Sequence, residues 1–175
     1  MQRSIALLLA VAAVATLAVV AIVAATRSTV DVGTIERGQP VPRLTGTTLD
    51  GVPFDLASLR GHPVVINFWG PSCVPCQTEF PLLAAKVKEH GADGLVIVGV
   101  LTDDPPDLAR TFVADHGATW QTVTDPGAAL KTAFHVIGRP QSFFVDRAGI
   151  LRSIQIGEVQ DKDFERQYAL ISGGS

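Results

Sequence analysis

Two kinds of apolar pattern alternate along the chain, and they predict different elements. Val64-Val65-Ile66-Asn67-Phe68 and Leu95-Val96-Ile97-Val98-Gly99-Val100 are short β-branched runs, the pattern of strands buried on both faces. Between them Phe80, Leu83, Ala84 and Val87 recur at i, i+3, i+4 and i+7, the stripe of an amphipathic helix over about 73–89. Pro81 should kink that helix, and His90-Gly91 should end it. Strand, helix, strand predicts a right-handed parallel βαβ unit. Upstream, Val41 to Thr47 and Val52-Pro53-Phe54 flank an Asp50-Gly51 turn and predict a short hairpin. Asp55 can then cap a brief helix ending near Gly61. Downstream, Asp104 reads as the cap and Pro105 as the start of a helix to about His116. A short strand near 120–123 follows, then a helix from Asp125-Pro126 to about His135. Ser142 to Asp146 and Ile150 to Ile156, joined through Ala148-Gly149, predict an antiparallel hairpin. Asp163 to Ile171 predicts a closing helix with Phe164 and Tyr168 on one face.

The first residues carry a third pattern. Ile5 to Ala25 is apolar apart from Thr16, long enough for the roughly 20 residues that cross a bilayer. A signal-peptide core is shorter, roughly 7–15 residues. Arg3 and the free amine favour an N-terminus on the cytoplasmic side, and Arg27 weakens that asymmetry. Val23-Ala24-Ala25 offers an alternative as a cleavage site. The expected organisation is a transmembrane anchor or signal over 1–25, a polar tether over 26–38 and one folded domain over 39–171, exported either way: anchored on the outer face of the cell membrane, or secreted if the segment is cleaved.

Composition narrows the chemistry. The 175 residues allow one domain plus an appendage. A net charge of −3 without a basic cluster argues against nucleic acid as partner. Two cysteines exclude a structural disulfide framework. No phosphate-binding glycine motif and no internal repeat is present.

Both cysteines lie in Trp69-Gly70-Pro71-Ser72-Cys73-Val74-Pro75-Cys76, where the first strand hands over to the helix. Cys73 at a helix N-terminus would meet unpaired N–H groups and the positive end of the dipole, which favour the reactive thiolate. Cys76, on the same face, is near enough to close a disulfide with slight adjustment. Pro75 falls early in the helix, where its missing N–H costs nothing. A staple closing so small a loop would constrain the unfolded chain little. A structural zinc site needs four ligands, and neither a second Cys pair nor a His-x3-5-His exists, so no metal is expected. Redox chemistry is the favoured reading.

The strand, the Trp-x-x-x-Cys-x-x-Cys and the helix resemble thioredoxin. Thr47-Thr48-Leu49-Asp50-Gly51, Leu59-Arg60-Gly61, Val65-Ile66-Asn67-Phe68-Trp69, Cys-x-x-Cys-x-x-Glu-Phe-Pro (73–81) and Gly138-Arg139-Pro140-Gln141-Ser142-Phe143-Phe144-Val145-Asp146 resemble the membrane-anchored TlpA/ResA/CcmG (DsbE) branch. Members of that branch are extracytoplasmic thiol-disulfide oxidoreductases, many serving cytochrome c maturation. The resemblance spans about residues 39–171. It implies an α/β, thioredoxin-like fold: a central mixed sheet flanked by helices, an N-terminal hairpin and a central insertion over 102–124.

The same resemblance assigns residues. Pro140 matches the cis proline that faces the disulfide in this fold. Glu79 matches the acidic residue this branch places near the cysteine pair. It sits i+3 from Cys76, so it can reach back toward that sulfur, and burial there would raise its pKa and suit it to proton transfer. Asn67 stands where cytoplasmic thioredoxins carry a buried Asp, and reads as a satisfied core polar group. Arg139 departs from the small or apolar residue usual before the proline, and its cation could point at Cys73. The CcmG fingerprint before the proline is absent. Trp69 is expected to shield the disulfide, and Trp69, Pro75 and Arg139 to border the substrate. His62, His90, His116 and His135 are scattered and expected on the surface.

The expected activity is reduction of disulfides in exported proteins, apocytochrome c among them, by Cys73 as nucleophile and Cys76 as resolving thiol. No cofactor is expected. The expected partners are protein thiols and disulfides, a membrane thiol donor for recycling, and the membrane through the N-terminal helix, with the domain a monomer. A thiol oxidase or isomerase of the same fold is the alternative within enzymes. A Sco-like copper chaperone is the alternative outside them, but those proteins carry Cys-x-x-x-Cys and a distal His, and His135 is not at the matching place.

Overall fold

The computed structural model of the chain describes residues 35–173. The expectations for the anchor and most of the tether fall outside them. Among the described residues no helix is long and apolar enough to cross a membrane.

Two strands, β1 (Thr45–Thr47) and β2 (Pro53–Asp55), form the expected hairpin. A 3-10 turn, Leu56–Leu59, follows, capped by Asp55, whose carboxylate accepts from the Ala57 N–H. Then come β3 (Val64–Trp69), α1 (Val74–His90), β4 (Val96–Leu101), α2 (Pro106–Asp115), β5 (Gln121–Thr124), α3 (Ala129–Ala133), β6 (Gln141–Val145), β7 (Leu151–Ile156) and α4 (Asp161–Ser172). The main sheet has the order β5-β4-β3-β6-β7. β3, β4 and β5 run parallel, and β6 and β7 are antiparallel to their neighbours. This is the mixed α/β architecture expected.

Alternation along β3 sorts the core. Val64, Ile66 and Phe68 face the side covered by the hairpin and α3, with Phe54, Leu130, Phe134 and Phe143. Val65 and Trp69 face the side of α1, α2 and α4, with Cys76, Phe80, Leu83, Ala109 and Phe164. Asn67 shares that second face and is the one polar side chain of a strand buried throughout. Gly99 on β4 makes room for the Trp69 indole: a Cβ there would lie 2.7 Å from Nε1 and 2.5 Å from Thr122 Oγ1.

Several local expectations are corrected. Asp104 does not cap α2; the residue before that helix is Pro105, and no side chain caps it. Helix α3 begins later than Asp125-Pro126 implies, because the Asp125 carboxylate reaches across Gly127 to accept from the N–H groups of Leu130 and Lys131. His90 is not a surface residue. Its ring lies 4.1 Å from that of Tyr168 and beside the Glu165 carboxylate, because α4 docks there. The same docking buries Lys86 among Glu89, Asp161 and Glu165.

Candidate active site

β3 ends at Trp69 and the chain turns over 70–73 into α1. Cys73 is the N-cap of that helix: its N–H donates to the Gly70 carbonyl, and its Sγ accepts from the Cys76 N–H at 3.3 Å. A cap position has a free donor to offer by construction, and here the acceptor is sulfur. The pair is joined as a disulfide with the Cα atoms 5.2 Å apart. Cys73 retains 9% of its surface and Cys76 only 1%. An incoming thiol or disulfide therefore meets Cys73 first, and Cys76 only through it.

Behind the cysteines lies a buried polar group of four. Glu79 sits one turn beyond Cys76 on the inner face of α1, 1% exposed. Its Oε1 accepts from Asn67 Nδ2 at 2.8 Å, and its Oε2 from the Val159 backbone N–H at 3.0 Å. Asn67 Nδ2 also donates to Ser142 Oγ at 2.9 Å; the two residues are paired directly across β3 and β6. Burial pushes the Glu79 carboxyl up to about 7, against the lowering effect of the Val159 and Asn67 hydrogen bonds and with a small push from Glu158. Burial raises this carboxyl, as expected for a Glu79 turned inward. Asn67 is not fully satisfied: its Oδ1 is buried without a hydrogen-bond partner.

A second polar group lies in front of the disulfide, and sequence reasoning missed most of it. The Arg139–Pro140 bond is cis, as expected, and Pro140 is buried. The Pro140 carbonyl accepts from the Gly157 N–H. Arg139 does not project as a free cation toward Cys73. Its guanidinium donates at 2.6 Å to both the Thr102 carbonyl and the Asp104 carboxylate, with Asp103 at 3.7 Å. The same Asp104 oxygen accepts from the Ser72 hydroxyl at 2.9 Å. Burial pushes the Asp104 carboxyl up, but the hydrogen bonds from Ser72 and Arg139 outweigh it and hold the group below the usual range. Gly70 permits the cluster: a Cβ there would lie 2.1 Å from both the Arg139 guanidinium and the Asp104 carboxylate. The missed signal was available. β3 and β4 are parallel with Trp69 opposite Leu101, so the turns that follow them, 70–73 and 102–104, must meet.

Of the residues expected to border a substrate, Pro75 is exposed and Arg139 half-buried, while Trp69 is corrected to a core residue. Its indole is fully buried against Phe80 and Phe112, at 5.0 and 5.4 Å between ring centroids. Among the described residues, no group of three potential metal ligands includes Cys73 or Cys76.

Residues 37–154 match the AhpC/TSA family. A thiol-disulfide oxidoreductase ResA of Geobacillus kaustophilus is 30% identical over 129 residues, 74% of this chain and 74% of that protein. Among solved structures, a thioredoxin-family thiol:disulfide interchange protein from Chlorobium tepidum superposes with a TM-score of 0.72 at 27% identity, covering 79% of this chain and 99% of that one. A secreted Mycobacterium tuberculosis disulfide oxidoreductase homologous to E. coli DsbE superposes with a TM-score of 0.65 at 26% identity, covering 72% of this chain and 94% of that one.

Proposed function

The chain belongs to the AhpC/TSA family and is a thiol-disulfide oxidoreductase, and we propose that it acts outside the cytoplasmic membrane as a reductant of protein disulfides. The observation that carries the exchange chemistry is the unequal pair: Cys73 at the helix cap with its sulfur reachable, Cys76 sealed behind it, and one turn further on a buried carboxyl raised to about 7.

The Cys73 thiolate attacks one sulfur of a partner disulfide; a Cys73–partner bond forms, and the second partner sulfur leaves as thiolate and takes a proton from water. Glu79 accepts the Cys76 thiol proton. The Cys76 thiolate then attacks Cys73 Sγ, closing the internal disulfide and releasing the first partner sulfur, which also takes up a proton. Two electrons pass to the partner, its two thiolates take up protons from water, and Glu79 releases the Cys76 proton to solvent. A membrane thiol donor returns the pair to the dithiol form.

Export rests on the apolar run from Ile5 to Ala25, and the secreted mycobacterial relative supports it. Exported proteins with disulfides, apocytochrome c among them, are the substrates that location offers. Two measurements test the proposal. Fractionation should place the full-length chain in membranes with the domain protease-accessible from outside; a cytoplasmic product would overturn it. Equilibration with dithiol buffers should give a potential near thioredoxin's, about −270 mV, whereas a value near about −120 mV would mark an oxidase instead.

A further inference from the structure

Glu79 is held by donors on both oxygens, and one of them cannot change. The Val159 N–H on Oε2 is backbone, a donor in every protonation state. A carbonyl oxygen accepts better than a hydroxyl oxygen, so when Glu79 takes up a proton the Val159 N–H favours Oε2 as the carbonyl and Oε1 as the hydroxyl. That hydroxyl faces Asn67 Nδ2, which is also a donor, 2.8 Å away. A hydroxyl hydrogen turned toward Nδ2 would meet an amide hydrogen there, and the bond between the two residues would be lost. The Asn67 amide already holds the remedy: its Oδ1 is buried and without a partner, a costly exception in a folded protein.

We propose that Asn67 is the positioning residue for Glu79 and that its amide turns over when Glu79 gains or loses its proton. A half-turn about the terminal torsion, which is broad and two-fold, exchanges Nδ2 for Oδ1. Oδ1 then accepts from the Glu79 hydroxyl and, with its second lone pair, from Ser142. The Ser142 hydroxyl, which accepts from Nδ2 in the ionised state, becomes the donor. Each state thus keeps both hydrogen bonds of the shared amide end, and the other end is unpartnered in both. Glu158 is the charged group acting on Glu79 from the 157–160 loop; Cys76 faces it along α1, and Asn67 and Ser142 from the sheet. A hydroxyl and an amide that both reverse roles let a buried carboxyl release a proton without stranding a donor against a donor. A carboxylate at position 67 could not do this.

The inference rests on reading Glu79 as the proton-transferring group, and the test separates the two. Isotope-labelled full-length chain in detergent is observed by NMR at about pH 5 and about pH 9, on either side of the titration. The Glu79 carboxyl carbon reports protonation. Cross-peaks from the Asn67 Nδ2 protons to the Ser142 β protons report the amide. At high pH those cross-peaks should be strong, and at low pH they should weaken several-fold. Persistence of the cross-peaks at low pH, with Glu79 protonated, overturns the proposal. Glu79→Gln supplies the second arm. Its carbonyl must face the Val159 N–H, so its amide nitrogen faces Asn67 and locks the turned-over state at both pH values. Strong Asn67–Ser142 cross-peaks in that variant also overturn the proposal. If the Glu79 carbon does not titrate in this range, the proton-transfer reading fails, and the Glu79→Gln spectra still decide the amide.

Discussion

Replacing Glu79 by Gln should remove a pH-dependent loss of stability in a defined window. Glu79 is 1% exposed, and burial moves its carboxyl from the ordinary 4.5 to about 7. The folded chain therefore holds this proton more tightly than the unfolded chain does. Stability from this group is fully present below about pH 4.5, falls as pH rises, and levels off above about pH 7. At about 1.4 kcal/mol per pH unit the loss is about 3 kcal/mol, a sizeable part of a typical 5–15 kcal/mol domain stability, on the order of a third. Gln keeps a carbonyl for the Val159 N–H and an amide for Asn67, and it carries no charge to desolvate. The assay is urea unfolding of residues 33–175 with the disulfide intact, at a series of pH values, for parent and variant. The contributions of other titrating groups, including Asp104, Asp146 and Glu165, cancel in the difference. The variant should match the parent or be less stable at pH 4 and gain on it steadily toward pH 7.5, ending up to about 3 kcal/mol higher relative to its starting difference. Unchanged slopes with denaturant would confirm that the unfolding reaction is the same. Parallel stability curves would refute the reasoning, since Glu79 would then titrate alike in both states.

Two further outcomes follow from the front of the site. Alkylation of the reduced chain near neutral pH should label Cys73 well before Cys76, given their exposures of 9% and 1%; mapping by mass spectrometry checks it, and preferential labelling of Cys76 would contradict it. An unpaired unit charge about 8 Å from the sulfur acts with about 2 kcal/mol at an effective dielectric near 20, or a few tens of millivolts. Because Arg139 and Asp104 are paired at 2.6 Å, Arg139→Thr should make the potential more negative, Asp104→Asn less negative, and the double variant should return near the parent. Shifts of the same sign would show that the pair does not act on the sulfur through its charge.

What the sequence revealed and what it concealed divide along physical lines. The βαβ unit around the cysteines was legible because buried strands and an amphipathic helix each write a periodic pattern into the chain, and Cys73 falls at their junction. Glu79 was legible as one helical turn beyond Cys76. Pro140 was legible through the family resemblance. Asp104 was misread because Asp before Pro is also the signature of a helix cap, while its partner Ser72 lies 32 positions away. Asn67 and Ser142 are 75 positions apart and meet only because β6 lies against β3. His90 looked like the polar end of a helix, since nothing in that helix's own pattern announces that α4 will dock on it. Trp69 was legible as a packing residue, but a ring expected to border the substrate is sealed by Phe80 and Phe112. In each case local patterns were readable and the side-chain partners brought in by sheet order were not.

The central claim is that Cys73 attacks and Cys76 resolves. Its most direct test is the intact mass of reduced Cys76→Ser chain after exposure to glutathione disulfide. One glutathione should remain attached at Cys73 until a reductant is added, while the parent chain passes to its internal disulfide without accumulating the adduct. If Cys76→Ser stays unmodified and Cys73→Ser captures glutathione instead, the assignment of the two cysteines is wrong.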